Sequence, residues 1–263
     1  MGFVEMDGLR AYRFELFDSP GILHGVFTRR GGVSPAPWAS LNHGGTVGDE
    51  RAHVIENRRG VYSATGRAVE SIFDVWQVHG TEVRCANAPR PLDQMHEQAD
   101  AIVTDRPEIT LFMRFADCVP ILFFDPIRRV VAIAHAGWKG TLDRIGAVTV
   151  QRMHEQYGCR LEDVLVGIGP SICAAHYQVG DEVVQKTRNT FGDRASEALI
   201  QKDDRFHLDL WEANRMVLRQ AGVLDQHIQV AGLCTLESPQ DWYSHRGEHG
   251  KTGRFGAIVA LTG

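Results

Sequence analysis

The sequence predicts a mixed α/β protein of the α+β kind, built on mixed β-sheets. Short apolar runs rich in β-branched and aromatic residues recur between Gly, Pro or Asp, which is typical of strands. A few longer stretches instead place their apolar residues with helical periodicity. No repeat of roughly 20–50 residues is visible, and a chain of 263 residues can form one α/β core. We therefore expect a single domain over residues 1–263.

The apolar runs predict the strands. Two of them, 119–124 and 130–136, flank the short connection DPIRR, which predicts an antiparallel hairpin. Earlier in the chain, residues 31–50 are so dense in Gly, Pro, Ser and Asn that they predict a loop, and a loop of this length in a compact domain is usually functional or disordered. The predicted strands are 12–16, 22–28, 73–78, 81–86, 109–115, 119–124, 130–136, 163–169 and 255–261.

Helices are predicted in four places. Residues 139–157 carry an apolar face, and Gly158 suits the left-handed position after a helix end. Another helix follows Asp209, which forms a capping pattern with Glu212. The remaining two are 49–64 and 180–191.

Composition favours a small-molecule function. The net charge of −5 gives no electrostatic reason to expect a nucleic-acid partner. No secretory signal is visible, and no apolar run approaches the roughly 20 residues of a membrane span, so we expect a cytoplasmic protein with no membrane partner. The five cysteines are scattered without a C-x-x-C pair, which suits a reducing compartment.

Three potential metal ligands lie at the edges of predicted strands: His79 in QVHG, Cys118 in ADCVP and His135 in AHAGWKG. The predicted hairpin brings Cys118 and His135 close together. Zinc prefers cysteine sulfur and histidine nitrogen, and catalytic zinc sites usually have three protein ligands. The three residues therefore predict a metal site, although their spacing matches no compact zinc finger.

Two other interpretations of these residues stay open. Cys118 could be a small core residue, with His79 in a surface turn and His135 hydrogen-bonded at a strand end. Alternatively, Cys118 could be a nucleophile that His135 activates as a base. The residues alone do not separate this dyad from a metal site.

Two glycine-containing segments carry candidate anion-binding cations. Lys139 in AGWKG lies at a strand-to-helix junction, where helix amides favour anions, but the Walker pattern is absent and a lysine here is more often an ordinary solvated residue of the first helical turn. Near the C-terminus, YSHRGEHGKTGRFG supplies Arg246 and Arg254. Such a segment can clamp a phosphate or carboxylate, or can be a solvated basic loop.

Taken together, the motifs resemble one family. In chain order they are TRRGGVS, SLNHG, VGDE, QVHG, ADCVPILFFDP, AHAGWKGT, GPSIC, LDLWEANRMVLRQAGV and CTLESPQDWYSHRGEHGKTGRFGAIVAL. This order, over almost the whole chain, resembles the YfiH family. Its members are described variously as purine nucleoside phosphorylases, polyphenol oxidases (laccases) and peptidoglycan-editing factors.

The resemblance implies an α/β/β/α layered arrangement and a metal at the positions of His79, Cys118 and His135, which become the expected catalytic residues. The associated metal is zinc, or copper where oxidase activity is claimed. The implied reactions are phosphorolysis of adenosine, inosine and S-methyl-5′-thioadenosine, together with deamination of adenosine. The expected partners are therefore a purine nucleoside and phosphate.

For this chemistry we expect Asp117 to orient a metal ligand from outside the coordination shell. The alternative functions are a copper-dependent polyphenol oxidase, a metal-free cysteine hydrolase, and a protein that binds or edits peptidoglycan precursors. The residues expected to hold phosphate are drawn from Arg29, Lys139, Arg246 and Arg254.

Four positions depart from the family pattern. In the segment that commonly reads S-L-N-L-G-x-H-V-G-D, His43 replaces a leucine and Thr46 replaces a histidine. In S-Y-R-R-D, His245 replaces the tyrosine and Gly247 the second arginine. The metal ligands are unaffected, whereas substrate contacts are expected to differ.

Overall fold

Two six-stranded β-sheets face each other in the computed structural model, which describes residues 2–263. Strands are numbered in chain order, and the first sheet contains β1 (Gly2–Met6), β2 (Leu9–Arg13), β3 (Ile22–Phe27), β4 (Ile72–Phe73), β7 (Thr110–Phe115) and β15 (Phe255–Leu261). Its strand order is β1-β2-β3-β15-β7-β4. Neighbours are antiparallel except for β4, which runs parallel to β7.

The second sheet contains β5 (Val83–Cys85), β6 (Ala101–Thr104), β8 (Val119–Asp125), β9 (Val130–Ala136), β10 (Leu165–Ile168) and β14 (Ile228–Val230). Its order is β14-β10-β8-β9-β6-β5, with an antiparallel centre and a parallel pair at each edge. A small third sheet has the order β11-β13-β12, formed by β11 (Gln178–Val179), β12 (Leu199–Lys202) and β13 (Arg205–Leu208).

Across residues 2–263, five α-helices accompany the sheets: α1 (Arg51–Ala64), α2 (Trp138–Leu142), α3 (Ile145–Tyr157), α4 (Asp181–Phe191) and α5 (Leu210–Ala221). Short 3₁₀ turns occupy Glu15–Phe17, Val69–Ser71, Leu161–Asp163, Gly192–Glu197 and Asp225–His227. Within residues 2–263, no helix combines the length and the apolar composition that crossing a membrane requires.

The central strands bury both of their faces. In β7, Leu111 and Met113 point into the core between the two sheets, whereas Phe112 points outward and packs near Tyr62 of α1. This alternation is the period of two that a strand imposes on its side chains. Because both faces are covered, these strands read as continuous apolar runs.

The second sheet alternates in the same way. Leu122 of β8 joins the core between the sheets, whereas Ile121 packs on the other face with Val150 of α3 and Val217 of α5. Helices α2 and α4 belong to that same outer cluster. The layers are therefore α1, first sheet, second sheet and α2–α5, which confirms the α/β/β/α arrangement.

Most predicted strands are confirmed in position, including the 119–136 hairpin, in which Pro120 lies opposite His135. The strand predicted over 73–78 is wrong, because β4 ends at Phe73, where the chain turns Asp74 inward. The strands predicted at 12–16, 81–86 and 163–169 are shifted or shortened to β2, β5 and β10. Strands β1, β6, β14 and the small third sheet were not predicted.

The helix predictions are confirmed at 49–64, at 180–191 and after Asp209, whose side chain accepts hydrogen bonds from the amides of Trp211 and Glu212. The single helix predicted over 139–157 is wrong, since Arg144 adopts a left-handed φ of 66° between α2 and α3. The apolar spacing continues across this break, so periodicity did not indicate it. Gly158 ends α3 with a left-handed φ of 69°, as expected.

The buried carboxylate of Asp74 joins several elements. It accepts hydrogen bonds from Arg90 Nε at 2.9 Å, Arg114 Nη1 at 3.2 Å and His96 Nε2 at 2.9 Å, and Arg58 of α1 lies 3.7 Å away. Burial raises the pKa of this carboxyl, but the hydrogen bond to His96 and the charges of Arg114 and Arg58 outweigh it and hold the pKa well below its ordinary value. Asp74 therefore ties α1 and β7 to the loop that follows β4.

We expect Asp74→Asn to lower the free energy of unfolding by about 3–5 kcal/mol, because it leaves buried arginines without their counter-ion. The measurement is urea denaturation at neutral pH. Because the folded-state pKa lies below the ordinary aspartate value of about 3.9, this stabilisation is complete above that pH and is lost as the pH falls below it.

The matched control is Glu56→Gln, since Glu56 contacts Arg59 at 4.0 Å in an exposed pair. Its effect should stay within about 0.5 kcal/mol. Equal losses for the two variants would contradict the role given to Asp74.

Candidate metal centre and cavity

Cys118 and His135 lie at the same end of the β8–β9 hairpin. Cys118 immediately precedes β8, and His135 is the penultimate residue of β9. Pro120 lies near the start of β8, and its carbonyl accepts a hydrogen bond from the amide of Gly169. A proline is tolerated at the start of a strand, although β8 is a central strand rather than a sheet edge.

His79 reaches the same point from the loop between β4 and β5. Its Nε2 atom is 3.9 Å from the Sγ of Cys118, and its ring centroid is 4.8 Å from that of His135. Its backbone has a φ of 61°, which is uncommon for a residue other than glycine. A Cβ at Gly137 would stand 2.9 Å from the Cys118 sulfur and 3.1 Å from His79 Cδ2, so a glycine there leaves room for both ligands.

The fully buried carboxylate of Asp100 holds both histidines. It accepts a hydrogen bond from Nδ1 of His135 at 2.8 Å. It also accepts from three consecutive backbone amides, those of Val78 at 3.1 Å, His79 at 3.0 Å and Gly80 at 2.7 Å. The Asp100 carbonyl accepts from the amide of His135 as well. Asp100 therefore fixes the ring of one histidine and the backbone of the other.

The charges within the cluster favour a thiolate at Cys118. Burial raises the pKa of this thiol, but the charge of His135 and hydrogen bonds from both histidines outweigh it and lower the pKa to about 6. Burial likewise lowers the pKa of His135, but Cys118 and Asp100 raise it to about 9. The deprotonated sulfur is the form that a metal ligand and a nucleophile both need.

The donor set fits a metal ion. One nitrogen from each histidine and the sulfur of Cys118 all lie within 4.8 Å of one another. The hydrogen bond to Asp100 occupies Nδ1 of His135 and leaves its Nε2 available as a ligand, as outer carboxylates do in metal sites. Thiolate and imidazole together suit zinc and also copper.

The three residues line a cavity of about 960 Å³. Segment 44–47 of the loop predicted over 31–50 forms part of the wall, beside α1. Buried Asn57 of α1 orders this loop, because its Nδ2 donates to the hydroxyl of Ser34 and to the carbonyls of Ser40 and Asn42. The loop contains neither helix nor strand, as predicted.

The cavity is rich in positive charge. Its acidic lining residues are Glu70 and Asp117. Asp74 already neutralises several of the cations, whereas Arg246 and Arg254 donate to backbone carbonyls, which leaves their charge available. The arginines that line it are Arg51, Arg58, Arg59, Arg90, Arg114, Arg246 and Arg254.

Arg254 lies within electrostatic reach of the metal ligands. Burial lowers the pKa of its guanidinium, and the negative charges of Cys118 and Asp117 act against this lowering. Arg246 lies with its guanidinium carbon 5.2 Å from the centroid of the Tyr177 ring. Both arginines can therefore meet an anion in the cavity.

Arg29 and Lys139 do not line this cavity, so the prediction that they contact phosphate there is wrong. Arg29 donates to Glu248 at 3.1 Å and to the carbonyl of Ala39 at 2.8 Å, which occupies its guanidinium elsewhere. Lys139 lies exposed on α2, with its Nζ 5.4 Å from the centroid of the Trp138 ring.

Asp117 also differs from its predicted role. Its carboxylate accepts from the Thr235 hydroxyl and from the backbone amide of Arg246, each at 2.6 Å. The residue that orients a candidate metal ligand is Asp100, which accepts from Nδ1 of His135. Asp117 instead positions Arg246.

The four departures from the family pattern divide into two groups. Thr46 and His245 line the cavity, so they can change its contacts with a substrate. His43 is buried against Phe112, and burial together with nearby arginines lowers its pKa to about 3, which keeps it neutral. Gly247 packs against Ser244.

Asp100 and five of the cavity arginines were not predicted as site residues. Asp100 directly precedes β6, just as Cys118 directly precedes β8. A search for acidic residues at the start of short apolar runs would have found it. Arg51, Arg58 and Arg59 carried no such signal, because charged residues on a helix usually form its solvated face.

The chain is similar to known proteins in both sequence and fold. Residues 23–262 match the family described as multi-copper polyphenol oxidoreductase laccase. A purine nucleoside phosphorylase of Deinococcus radiodurans is 40% identical over 238 residues, which cover 90% of this chain and 88% of that protein. The purine nucleoside phosphorylase YlmD of Bacillus subtilis is 35% identical over 246 residues, or 91% and 88% of the two chains. The crystal structure of the Bacillus licheniformis hypothetical protein YfiH superposes with a TM-score of 0.91 at 34% identity and covers 99% of both chains.

Asp100→Asn is expected to weaken zinc binding at this centre about 10–100-fold, because the amide cannot accept from His135 and from the backbone amides together. The measurement is competition for Zn²⁺ between the protein and a chromophoric chelator. Cys118→Ser gives the reference for complete loss of the centre.

Asp125→Asn is the control for a general loss of stability. Asp125 is a buried carboxylate at the far end of the same hairpin, where it accepts from the amides of Ile127 and Arg128. The zinc affinity of the Asp125→Asn variant should match that of wild type. An Asp100→Asn variant with wild-type affinity would remove Asp100 from the support of the centre.

Proposed function

We propose that this chain is a zinc-dependent purine nucleoside phosphorylase. It belongs to the family described as multi-copper polyphenol oxidoreductase laccase, which is the YfiH family that its motifs resemble. Its substrates are phosphate and adenosine, inosine or S-methyl-5′-thioadenosine. The observation that carries this proposal is the cavity itself, which joins a three-donor cluster to uncompensated arginines. Relatives named purine nucleoside phosphorylase support the same reaction class.

His79, Cys118 and His135 hold the metal. A bound Zn²⁺ supplies a Lewis-acid charge that can polarise a substrate group or water. Asp100 keeps the ring of His135 in one tautomer and orientation through the Nδ1 hydrogen bond. These three side chains would supply the number of protein ligands that catalytic zinc sites usually have.

Arg246 and Arg254 bind the phosphate. A guanidinium presents parallel N–H groups that match phosphate oxygens, and it stays charged at neutral pH. Asp117 places Arg246 beside the centre by accepting its backbone amide. The attacking anion is thereby held on the side of the cavity that carries Cys118.

The nucleoside occupies the part of the cavity that large apolar side chains line. Trp76, Ile55 and Leu92 line it with large side chains that are 47%, 40% and 53% exposed. An aromatic or apolar wall suits the flat face of a purine, while the sugar points toward the bound phosphate. These side chains would lose their exposure when the nucleoside binds.

In the proposed reaction, a phosphate oxygen attacks the anomeric carbon of the sugar. The carbon–nitrogen bond to the purine breaks, and its electron pair leaves with the base, which takes up a proton. The products are the free purine and a sugar 1-phosphate. We also propose adenosine deamination, in which water attacks the purine ring and ammonia leaves to give inosine.

Zinc-loaded protein given adenosine and phosphate is expected to yield adenine and ribose 1-phosphate, measured by chromatography. Cys118→Ser should lose most of this activity, because it removes the thiolate donor. An arm without phosphate separates the reactions, since inosine then reports deamination alone. Neither adenine nor inosine above the Cys118→Ser level would contradict the proposal.

Two further arms test the alternative functions. Copper-loaded protein with a phenol tests the oxidase that the family description suggests. Binding of a peptidoglycan precursor without a product would favour the editing protein. Turnover by metal-free protein that Cys118→Ser abolishes would favour a cysteine hydrolase.

Arg246→Gln and Arg254→Gln are expected to raise the KM for phosphate about 10–100-fold, because each loses a charge-assisted contact of about 1.5–3 kcal/mol. The KM for the nucleoside should change less. Steady-state kinetics at varied phosphate and fixed nucleoside gives both values.

Lys139→Gln is the matched control, since this cation is exposed and does not line the cavity. Its phosphate KM should equal that of wild type. A comparable rise for Lys139→Gln would point to a general electrostatic effect rather than a phosphate site.

A further inference from the structure

A second cluster of metal-ligand side chains lies outside the His79, Cys118 and His135 centre. It contains Cys173, His176, Cys234 and Glu237, whose ligand atoms all lie within 4.8 Å of one another. The two cysteines are buried, His176 is half-buried and Glu237 is exposed. None of these residues takes part in the proposed phosphorolysis.

Four of the six distances between donor atoms match a tetrahedral ion. The Sγ of Cys173 is 3.3 Å from His176 Nδ1 and 3.7 Å from Glu237 Oε1. His176 Nδ1 is 3.7 Å from the Sγ of Cys234 and 3.4 Å from Glu237 Oε1. A tetrahedral zinc with metal–ligand distances of about 2.0–2.3 Å requires ligand–ligand distances of about 3.3–3.8 Å.

Two short turns supply the donors. Cys173 and His176 are spaced C-x-x-H in a turn where the amide of His176 donates to the carbonyl of Cys173. Cys234 and Glu237 are spaced C-x-x-E in a second turn. Pairs this close in sequence, one from each of two neighbouring segments, are typical of structural zinc sites.

The backbone holds the two turns together. Ser171 forms a parallel bridge with Cys234 and accepts a hydrogen bond from the amide of Thr235. The amide of Cys173 donates to the sulfur of Cys234 at 3.4 Å. Backbone hydrogen bonds therefore keep the two sulfurs close together.

We propose that Cys173, His176, Cys234 and Glu237 bind a structural Zn²⁺ ion. Two thiolates, one imidazole and one carboxylate complete a four-coordinate shell, so this site has no open position for a substrate. Soft sulfur ligands select zinc over magnesium or calcium. Binding releases two protons, one from each thiol.

This ion braces the wall of the cavity. The carbonyl of Asp117 accepts from the amide of Ile172, and its carboxylate accepts from the hydroxyl of Thr235. Each of these partners directly adjoins a cysteine of the second cluster in sequence. Tyr177, which lines the cavity, directly follows His176. The structural ion therefore fixes the segments that hold Asp117 and, through it, Arg246.

The test measures zinc per chain. The full-length protein is incubated with zinc chloride, dialysed against metal-free buffer with a phosphine reductant, and analysed by inductively coupled plasma mass spectrometry. Wild type should retain two zinc ions per chain. His176→Ala and Cys118→Ser should each retain one, and the double variant should retain none.

His176 is the first choice for substitution because it is not fully buried, so the variant should fold. Glu237→Gln provides a second variant at an exposed position and should release the second zinc more readily than wild type during dialysis. Cys159→Ser and Cys85→Ser are the controls, since these cysteines lie outside both clusters, and both should retain two zinc ions.

Cobalt provides an independent readout. Co²⁺ bound by thiolates in a tetrahedral site gives sulfur-to-metal charge-transfer absorption and intense d–d bands. Cys118→Ser should keep these bands, because the second cluster retains two thiolates, and the Cys118→Ser, His176→Ala double variant should lose them.

Three results would overturn the proposal. They are a single zinc per wild-type chain that Cys118→Ser abolishes, two zinc ions retained in His176→Ala, and a Cys173–Cys234 disulfide that persists in reductant. Loss of phosphorolysis does not bear on this site, because the stoichiometry of Cys118→Ser reports the second zinc in the absence of activity.

Discussion

The carboxylate of Asp100 is the interaction on which the candidate centre depends. It is fully buried and accepts four hydrogen bonds, one from an imidazole and three from consecutive amides. A buried carboxylate with so many donors has a well-defined position, because each lost bond would leave charge without compensation. The left-handed backbone at His79 follows from this arrangement, since three amides in a row must turn toward one acceptor. Two ligands from distant parts of the chain thus share one support.

A second buried carboxylate, Asp74, organises the charge of the cavity. It neutralises part of the arginine cluster and ties α1 to the first sheet. Arg246 and Arg254 belong to the C-terminal segment and lie outside this network. The cavity is therefore cationic although the whole chain carries a net charge of −5. Local pairing, rather than net charge, decides which anion the protein can bind.

Much of this arrangement could be predicted from the sequence, and the exceptions have physical causes. Strands β8 and β9 were predictable because burial on both faces makes them continuous apolar runs. Their short connection then placed Cys118 near His135. Strand β6 was missed because its four residues give too little pattern, and Asp100 was missed with it. The break at Arg144 was missed because apolar spacing continues through it.

The contacts around Cys118 also separate its three interpretations. A core cysteine needs only apolar neighbours, yet this sulfur faces His79 and a glycine whose Cβ would stand 2.9 Å away. A nucleophile needs one base, and His135 alone would serve.

Neither role accounts for a buried carboxylate that also holds the backbone of His79 in an uncommon conformation. By accepting from the His79 amide and from the His135 ring, Asp100 keeps both imidazoles in a fixed position relative to the sulfur. Fixed convergence of two nitrogens and one thiolate is what a metal ion requires of its ligands, so the local structure favours a metal ligand at Cys118.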